Sequence, residues 1–207
     1  ASRHLCKNLN FNIETIKVDN LRTEDLDPDQ LKRLLTAIND SQDNEAANIM
    51  RLALFTGMRR GEMFNLKWSD IDFQRGFINI RNPKGGVSQK IPLNDQARHV
   101  LENHPKTQIN KDAQNPEYSE YVFVKQDGEP FNDIKERVNK IKKAAGIPDD
   151  FRTLHGLRHT YASMLASSGQ VDMYTLQKLL THKSPVMTQR YAHLRDDALK
   201  KASALAG

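Results

Sequence analysis

The sequence predicts an α+β fold, mainly α-helical with a small antiparallel β-sheet. Two observations carry this prediction. Apolar residues recur at helical spacing in several stretches, as at Leu31, Leu34, Leu35 and Ile38, and again at Ile134, Val138, Ile141 and Ala145. Between them the period changes. Phe77, Ile78 and Ile80 lie in one β-rich run, and Val87 to Leu93 form another. Asn82-Pro83-Lys84-Gly85-Gly86 lies between the two and reads as a hairpin turn.

The elements follow in order. Residues 1 to about 26 are polar and show no helical period, so they read as a linker or arm. Asp27-Pro28 opens the first helix, with aspartate as cap and proline in the first turn. A second helix is expected from Asn44 to Thr56, stopped by Gly57, and a short one from Arg60 to Leu66. After the hairpin, Asn94 caps a helix reaching about His104. Residues 105 to 119 read as loop, Tyr121 to Val124 as a short strand, and the helix around Val138 ends at Gly146. Helices are then expected from Leu154 to Ser168 and from Asp172 to Leu180. Ser184-Pro185 starts a short helix carrying Tyr191, with Ser184 as its cap, and an amphipathic segment runs from Arg195 to Ala206.

The chain has 207 residues, enough for one domain with a substantial core. No apolar run approaches the roughly 18 residues of a membrane span. The single cysteine, Cys6, has no internal disulfide partner, which fits a reducing, cytoplasmic setting. Net charge is +5, from 31 basic and 26 acidic residues, a balance that permits a nucleic-acid partner. The chain opens with Ala1-Ser2 and reads as a piece of a longer protein.

Five groups could carry chemistry. Arg59 follows Thr56-Gly57-Met58 at a helix end, where its planar fork of donors suits a phosphate; Glu62 could hold it in place. Lys84 sits in the glycine-rich turn and could donate a proton, with Lys90 in the next strand as its competitor. His155 and Arg158 lie three apart on one helix, and so on one side of it, facing away from a buried stripe of Leu157, Tyr161, Met164 and Leu165. His155 and His159 are four apart, as metal ligands can be, but the zinc-helix glutamate is missing. His182 precedes Tyr191 by nine residues. A tyrosine hydroxyl, with a reference pKa of roughly 10, becomes a useful nucleophile only where cations stabilise the developing charge. Singly, each has an ordinary reading as surface charge, helix cap or core aromatic. The run Lys135, Arg137, Lys140, Lys142, Lys143 reads as a solvated face or a DNA-backbone contact.

Together and in order, these motifs resemble the catalytic domain of the tyrosine recombinases, the phage-integrase family. The matching words are Thr56-Gly57-Met58-Arg59, Leu154-His155-Gly156-Leu157-Arg158-His159-Thr160 and Tyr191-Ala192-His193, and the resemblance covers about Leu26 to Leu194. It implies a catalytic set of Arg59, Lys84, His155, Arg158, His182 and Tyr191, with no cofactor and no metal. One departure is Thr181, where the family often has glycine; a slight shift of that loop is expected.

The resemblance further implies site-specific recombination of double-stranded DNA through a 3′-phosphotyrosine. The two arginines and His182 would stabilise the transition state, Lys84 would protonate the leaving 5′-oxygen, and His155 would act as general base or stabiliser. It implies a catalytic domain over residues 27–194, a C-terminal tail helix over 195–207, and a separate N-terminal core-binding domain outside this chain. A homotetramer on synapsed DNA, monomeric in isolation, is expected. The tail would dock on a neighbouring protomer or pack on its own domain. A type IB topoisomerase-like strand transferase and a non-catalytic DNA-binding module are the competing readings.

Overall fold

The computed structural model describes residues 25–81, 88–110, 112 and 114–204. Helix α1 (Pro28–Asn39) begins as its sequence dictates. The Asp27 carboxylate accepts from the Gln30 N–H, the Gln30 side chain accepts from the Asp27 N–H, and proline fills the first turn. Its apolar face turns Leu34 and Ile38 wholly into the core.

Helix α2 (Asn44–Thr56) is the central element, with buried residues from Ala46 to Thr56. It packs against α1, α4 (Asp95–Glu102), α5 (Lys135–Ala144) and α6 (Thr153–Ser167). It ends at Gly57, which is left-handed at φ 64°. A Cβ built at Gly57 would stand 2.5 Å from Cδ1 of Tyr161, so close approach as well as conformation favours glycine. The short α3 (Arg60–Phe64) follows directly and stops two residues before the expected Leu66.

A 3-10 turn (Trp68–Asp70) leads into an antiparallel sheet of β1 (Ile71–Asp72), β2 (Phe77–Ile80) and β3 (Gln89–Pro92), in the order β1-β2-β3. In the hairpin Ile78 faces Ile91 and Ile80 faces Gln89. The sheet thus turns Ile78, Ile80 and Ile91 inward. The predicted turn at 82–86, with Lys84, lies outside the described residues. The segment predicted as a strand at Tyr121 to Val124 forms no ladder. It makes single bridges, Lys67 to Tyr121 and Val124 to Pro130. Its apolar run reflects burial of Val122, Phe123 and Val124 rather than strand pairing.

Helix α6 departs from the amphipathic reading. Leu157 is fully buried, but so nearly are Arg158, His159, Thr160 and Ser163 around the helix, while Met164, assigned to the buried stripe, is exposed. The helix is enclosed by α2, α5, α7 (Met173–Leu179) and α9 (Ala192–Ala204), so no one face is the inside. The basic run on α5 is likewise partly structural. Lys142 is buried and donates to the Asp149 and Phe151 carbonyls, and Arg137 pairs with the Asp43 cap of α2.

The C-terminal third builds a second small core of Ala162, Ala166, Leu176, Leu180 and Tyr191. Helix α8 (Val186–Gln189) begins one residue later than predicted, with Pro185 as cap and the Ser184 hydroxyl accepting from the Val186 N–H. Tyr191 is not on that helix. It lies in the turn between α8 and α9, its N–H bound to the Thr188 carbonyl. Helix α9 starts at Ala192 instead of Arg195; it touches α6, and Leu194 packs on the second core while Leu199 is exposed. No helix among the described residues is long and apolar enough to cross a membrane.

Candidate active site

Three chain turns converge on the N-terminal half of α6. The α2–α3 turn brings Arg59, the α7–α8 turn brings His182, and the α8–α9 turn brings Arg190 and Tyr191. Together with His155, Arg158 and His159 of α6 they line a cleft of about 750 Å³. Of the expected residues, five meet here: Arg59, His155, Arg158, His182 and Tyr191. The sixth, Lys84, is not described. The described end of its hairpin arm, Asn79 to Arg81, shares an adjoining cleft with Arg59 and Glu62.

Arg59 is fixed by its neighbours. One oxygen of the Glu62 carboxylate accepts from its backbone N–H at 2.9 Å and the other from its Nη1 at 2.8 Å. The same Nη1 donates to the Thr181 hydroxyl at 2.5 Å, and the guanidinium also reaches the Thr181 carbonyl at 3.2 Å. Thr181 holds φ at 49°, a left-handed conformation that glycine adopts at little cost. Here threonine accepts the strain and supplies a hydroxyl to the arginine.

Arg158 is nine-tenths buried and donates Nη1 to the Gly57 carbonyl and Nη2 to the Leu180 carbonyl. It therefore ties the end of α2 to the end of α7 across α6. Burial, then the nearby charge of Arg59, lowers its pKa to about 10, so it stays cationic at neutral pH. A guanidinium has five N–H donors, and these two carbonyls take two of them.

His182 is half-buried, with Nδ1 2.8 Å from the Thr188 hydroxyl. Burial first, then Arg158, Arg59, Arg190 and His159, lower its pKa to about 3. It is neutral at pH 7. With the Thr188 hydroxyl donating to Nδ1, its Nε2–H is the donor available to a ligand.

Tyr191 is 2% exposed. Burial raises its pKa, opposed by Arg190 and Arg158. Its hydroxyl lies 2.5 Å from Nδ1 of His159, whose Nε2 lies 2.9 Å from Nε2 of His155. The contact of His159 with the tyrosine was missed in the sequence, where His159 appears only as a possible metal partner of His155. A signal was present, since His159 lies one turn from His155 and so on the same side of α6. What the sequence lacks is the 32-residue link to Tyr191. Among the described residues no group of three or more His, Cys, Asp or Glu could hold a metal ion.

Among the described residues, the lining carries four arginines, three histidines and one tyrosine, and no carboxylate. Such a cleft favours an anion, and a phosphodiester matches the forked donors of its arginines. Fold and site together define a mainly helical domain that presents a tyrosine beside buried cations. The chain belongs to the phage integrase family, whose model matches residues 24–198. It is 30% identical over 184 residues to the tyrosine recombinase XerA of Saccharolobus solfataricus, covering 89% of this chain and 57% of that one. It is 33% identical over 195 residues to the integrase of Salmonella phage P22, covering 87% of this chain and 46% of that one. The crystal structure of a XerA recombinase superposes with a TM-score of 0.68 at 31% identity, over 88% of this chain and 63% of the other. The chain therefore spans about half the length of the curated relatives it matches.

Proposed function

We propose that this chain is the catalytic part of a site-specific DNA recombinase of the integrase type. The observation that carries the reading is the cleft, with no carboxylate among its described lining residues, in which Tyr191, Arg59, Arg158 and His182 meet. The family's named recombinases and integrases support it. The substrate is double-stranded DNA, and the setting is the cytoplasm of a cell hosting a phage, mobile element or chromosome under resolution. The catalytic domain takes in residues 27–194, with 1–26 as an arm and 195–207 as a tail. The protein is a monomer in isolation and a homotetramer on synapsed DNA.

The chemistry follows from the residues. A phosphodiester gains negative charge at phosphorus as it becomes pentavalent. Arg59 and Arg158 bind its non-bridging oxygens, and His182 adds a neutral donor. Such preorganised donors contribute about 3 kcal/mol each. Tyr191 attacks in line, and the oxygen–phosphorus bond it forms replaces the bond to the 5′-oxygen. Lys84 is the proton donor to that leaving oxygen, and His155 is a base or stabiliser. A 5′-hydroxyl of another strand then reverses the step at a new partner. The bond energy is kept in the phosphotyrosine, so neither nucleotide hydrolysis nor a metal is required.

The test is covalent capture. The chain is incubated with a pool of nicked, randomised DNA duplexes beside a Tyr191→Phe variant, and the adducts that survive denaturation are amplified. The reading expects an adduct with the parent alone, converging on one sequence, and an adduct rate more than about 100-fold lower for Arg158→Ala. Duplex binding is expected to be weak and to fall steeply with salt. Adducts formed equally by Tyr191→Phe, or none from the parent, contradict the reading.

A further inference from the structure

We propose that His159 accepts the proton of the Tyr191 hydroxyl and that His155 carries it to solvent, so that two histidines on one side of α6 form a proton exit for the nucleophile. The inference rests on the reading of Tyr191 as the attacking group.

The need for an exit comes from burial. Tyr191 is 2% exposed and His159 5%. A phenol in such a place cannot lose its proton directly to water. His155, by contrast, is exposed. The geometry joins the buried end to the exposed one in two contacts of 2.5 and 2.9 Å. The two rings are one helical turn apart, with centroids at 4.5 Å and planes at 78°, edge to face. That spacing turns Nε2 of one ring toward Nε2 of the other and leaves Nδ1 of His159 for the tyrosine.

The protons can be followed. In the tautomer the relay uses, the Tyr191 O–H donates to His159 Nδ1 and the imidazole hydrogen of His159 is on Nε2. That hydrogen points at His155 Nε2, which accepts it. In cleavage the tyrosine O–H bond breaks as its oxygen bonds to phosphorus. His159 gains a proton at Nδ1 and gives one up from Nε2 to His155, which releases a proton to water. The 5′-oxygen, leaving phosphorus, takes its proton from Lys84. In rejoining the same path runs backward and returns the proton to the phenol.

The surrounding charges favour outward transfer. His159 is faced by Arg158 from α6, by Arg190 and Tyr191 from the α8–α9 turn, and by His182 from the α7–α8 turn, with Arg59 beyond. Arg190 Nη1, a donor only, lies 3.5 Å from His159 Nε2 and can bond that nitrogen once its hydrogen has passed to His155. These cations disfavour a lasting imidazolium at His159, so the proton moves on to the exposed ring. Arg190 and Arg158 also stabilise the phenolate left behind, opposed by the carboxylate of Asp25.

The test uses single-turnover adduct formation on a nicked duplex recovered by the covalent capture above. His159→Asn keeps a polar atom near the Nδ1 position but cannot ionise. It is expected to slow the adduct about 100-fold or more and to flatten the rise of rate with pH. His155→Gln, at an exposed position where folding is not at risk, is expected to slow it to a smaller extent and to shift the same limb. A 5′-bridging phosphorothiolate duplex, whose sulfur leaves without protonation, should restore Lys84→Ala and leave His159→Asn slow. Parent rate and parent pH profile in either histidine variant would overturn the relay, as would rescue of His159→Asn by the sulfur substrate. In each of those results the parent still forms its adduct, and the recombinase reading stands. A parent that forms no adduct overturns both.

Discussion

The Arg59 guanidinium donates to both the hydroxyl and the carbonyl of Thr181, and that threonine is held at φ 49° to receive it. The contact spans 122 residues of chain and joins the α2–α3 turn to the turn that carries His182. The Leu180 carbonyl, one residue earlier, accepts from Arg158. Both arginines thus grip consecutive peptide units of one turn, and the proposed phosphate site is assembled from elements distant in sequence.

This arrangement predicts a specific order of stabilities. Thr181→Gly removes the hydroxyl but relieves the left-handed strain. Thr181→Ala removes the hydroxyl and keeps the strain. The alanine variant should be about 1 kcal/mol less stable than the glycine variant in urea unfolding at neutral pH. Equal stability of the two would show that position 181 carries no strain.

Caps and turns were the legible part of the chain. Asp27-Pro28, Gly57, Asn94 and Asp172 each fixed a boundary through chemistry local to a few residues. The sequence also singles out Arg59, His155, Arg158, His182 and Tyr191, which the fold brings to one cleft. What failed was side-chain direction. An amphipathic reading of α6 buries Met164 and exposes Arg158, because it assumes one wet face; a helix enclosed on several sides keeps only scattered positions wet. Ser184-Pro185 fixes a helix start that predicts a helical Tyr191, whereas nothing in the sequence fixes the early stop at Gln189.

Gly57→Ala tests how far the site depends on the α2 terminus. The new methyl group would adopt φ 64° and meet the Tyr161 ring, and the Gly57 carbonyl that receives Arg158 would shift. A loss of about 2–4 kcal/mol is expected in urea unfolding. A loss below about 0.5 kcal/mol would mean that the turn relaxes freely.

His182 predicts an acid-side loss of stability. Its pKa is lowered to about 3 in the folded chain from 6.5. Between those values the unfolded chain holds a proton on this histidine and the folded chain does not, so stability falls as pH drops from 6.5 toward 3. His182→Gln should lose less stability than the parent between pH 7 and pH 5, read as the change in urea midpoint. An identical pH dependence would place the neutral form of His182 in doubt. A bound phosphate should oppose the effect, since an anion favours the protonated ring.

The central claim is that Tyr191 becomes covalently joined to DNA. The most direct measurement is mass spectrometry of the proteolysed adduct formed on a captured nicked duplex. The account predicts one modified peptide, with a nucleotide 3′-phosphate on Tyr191 and a free 5′-hydroxyl on the released strand. A nucleotide on any other residue, or a released strand ending in 5′-phosphate, would contradict it.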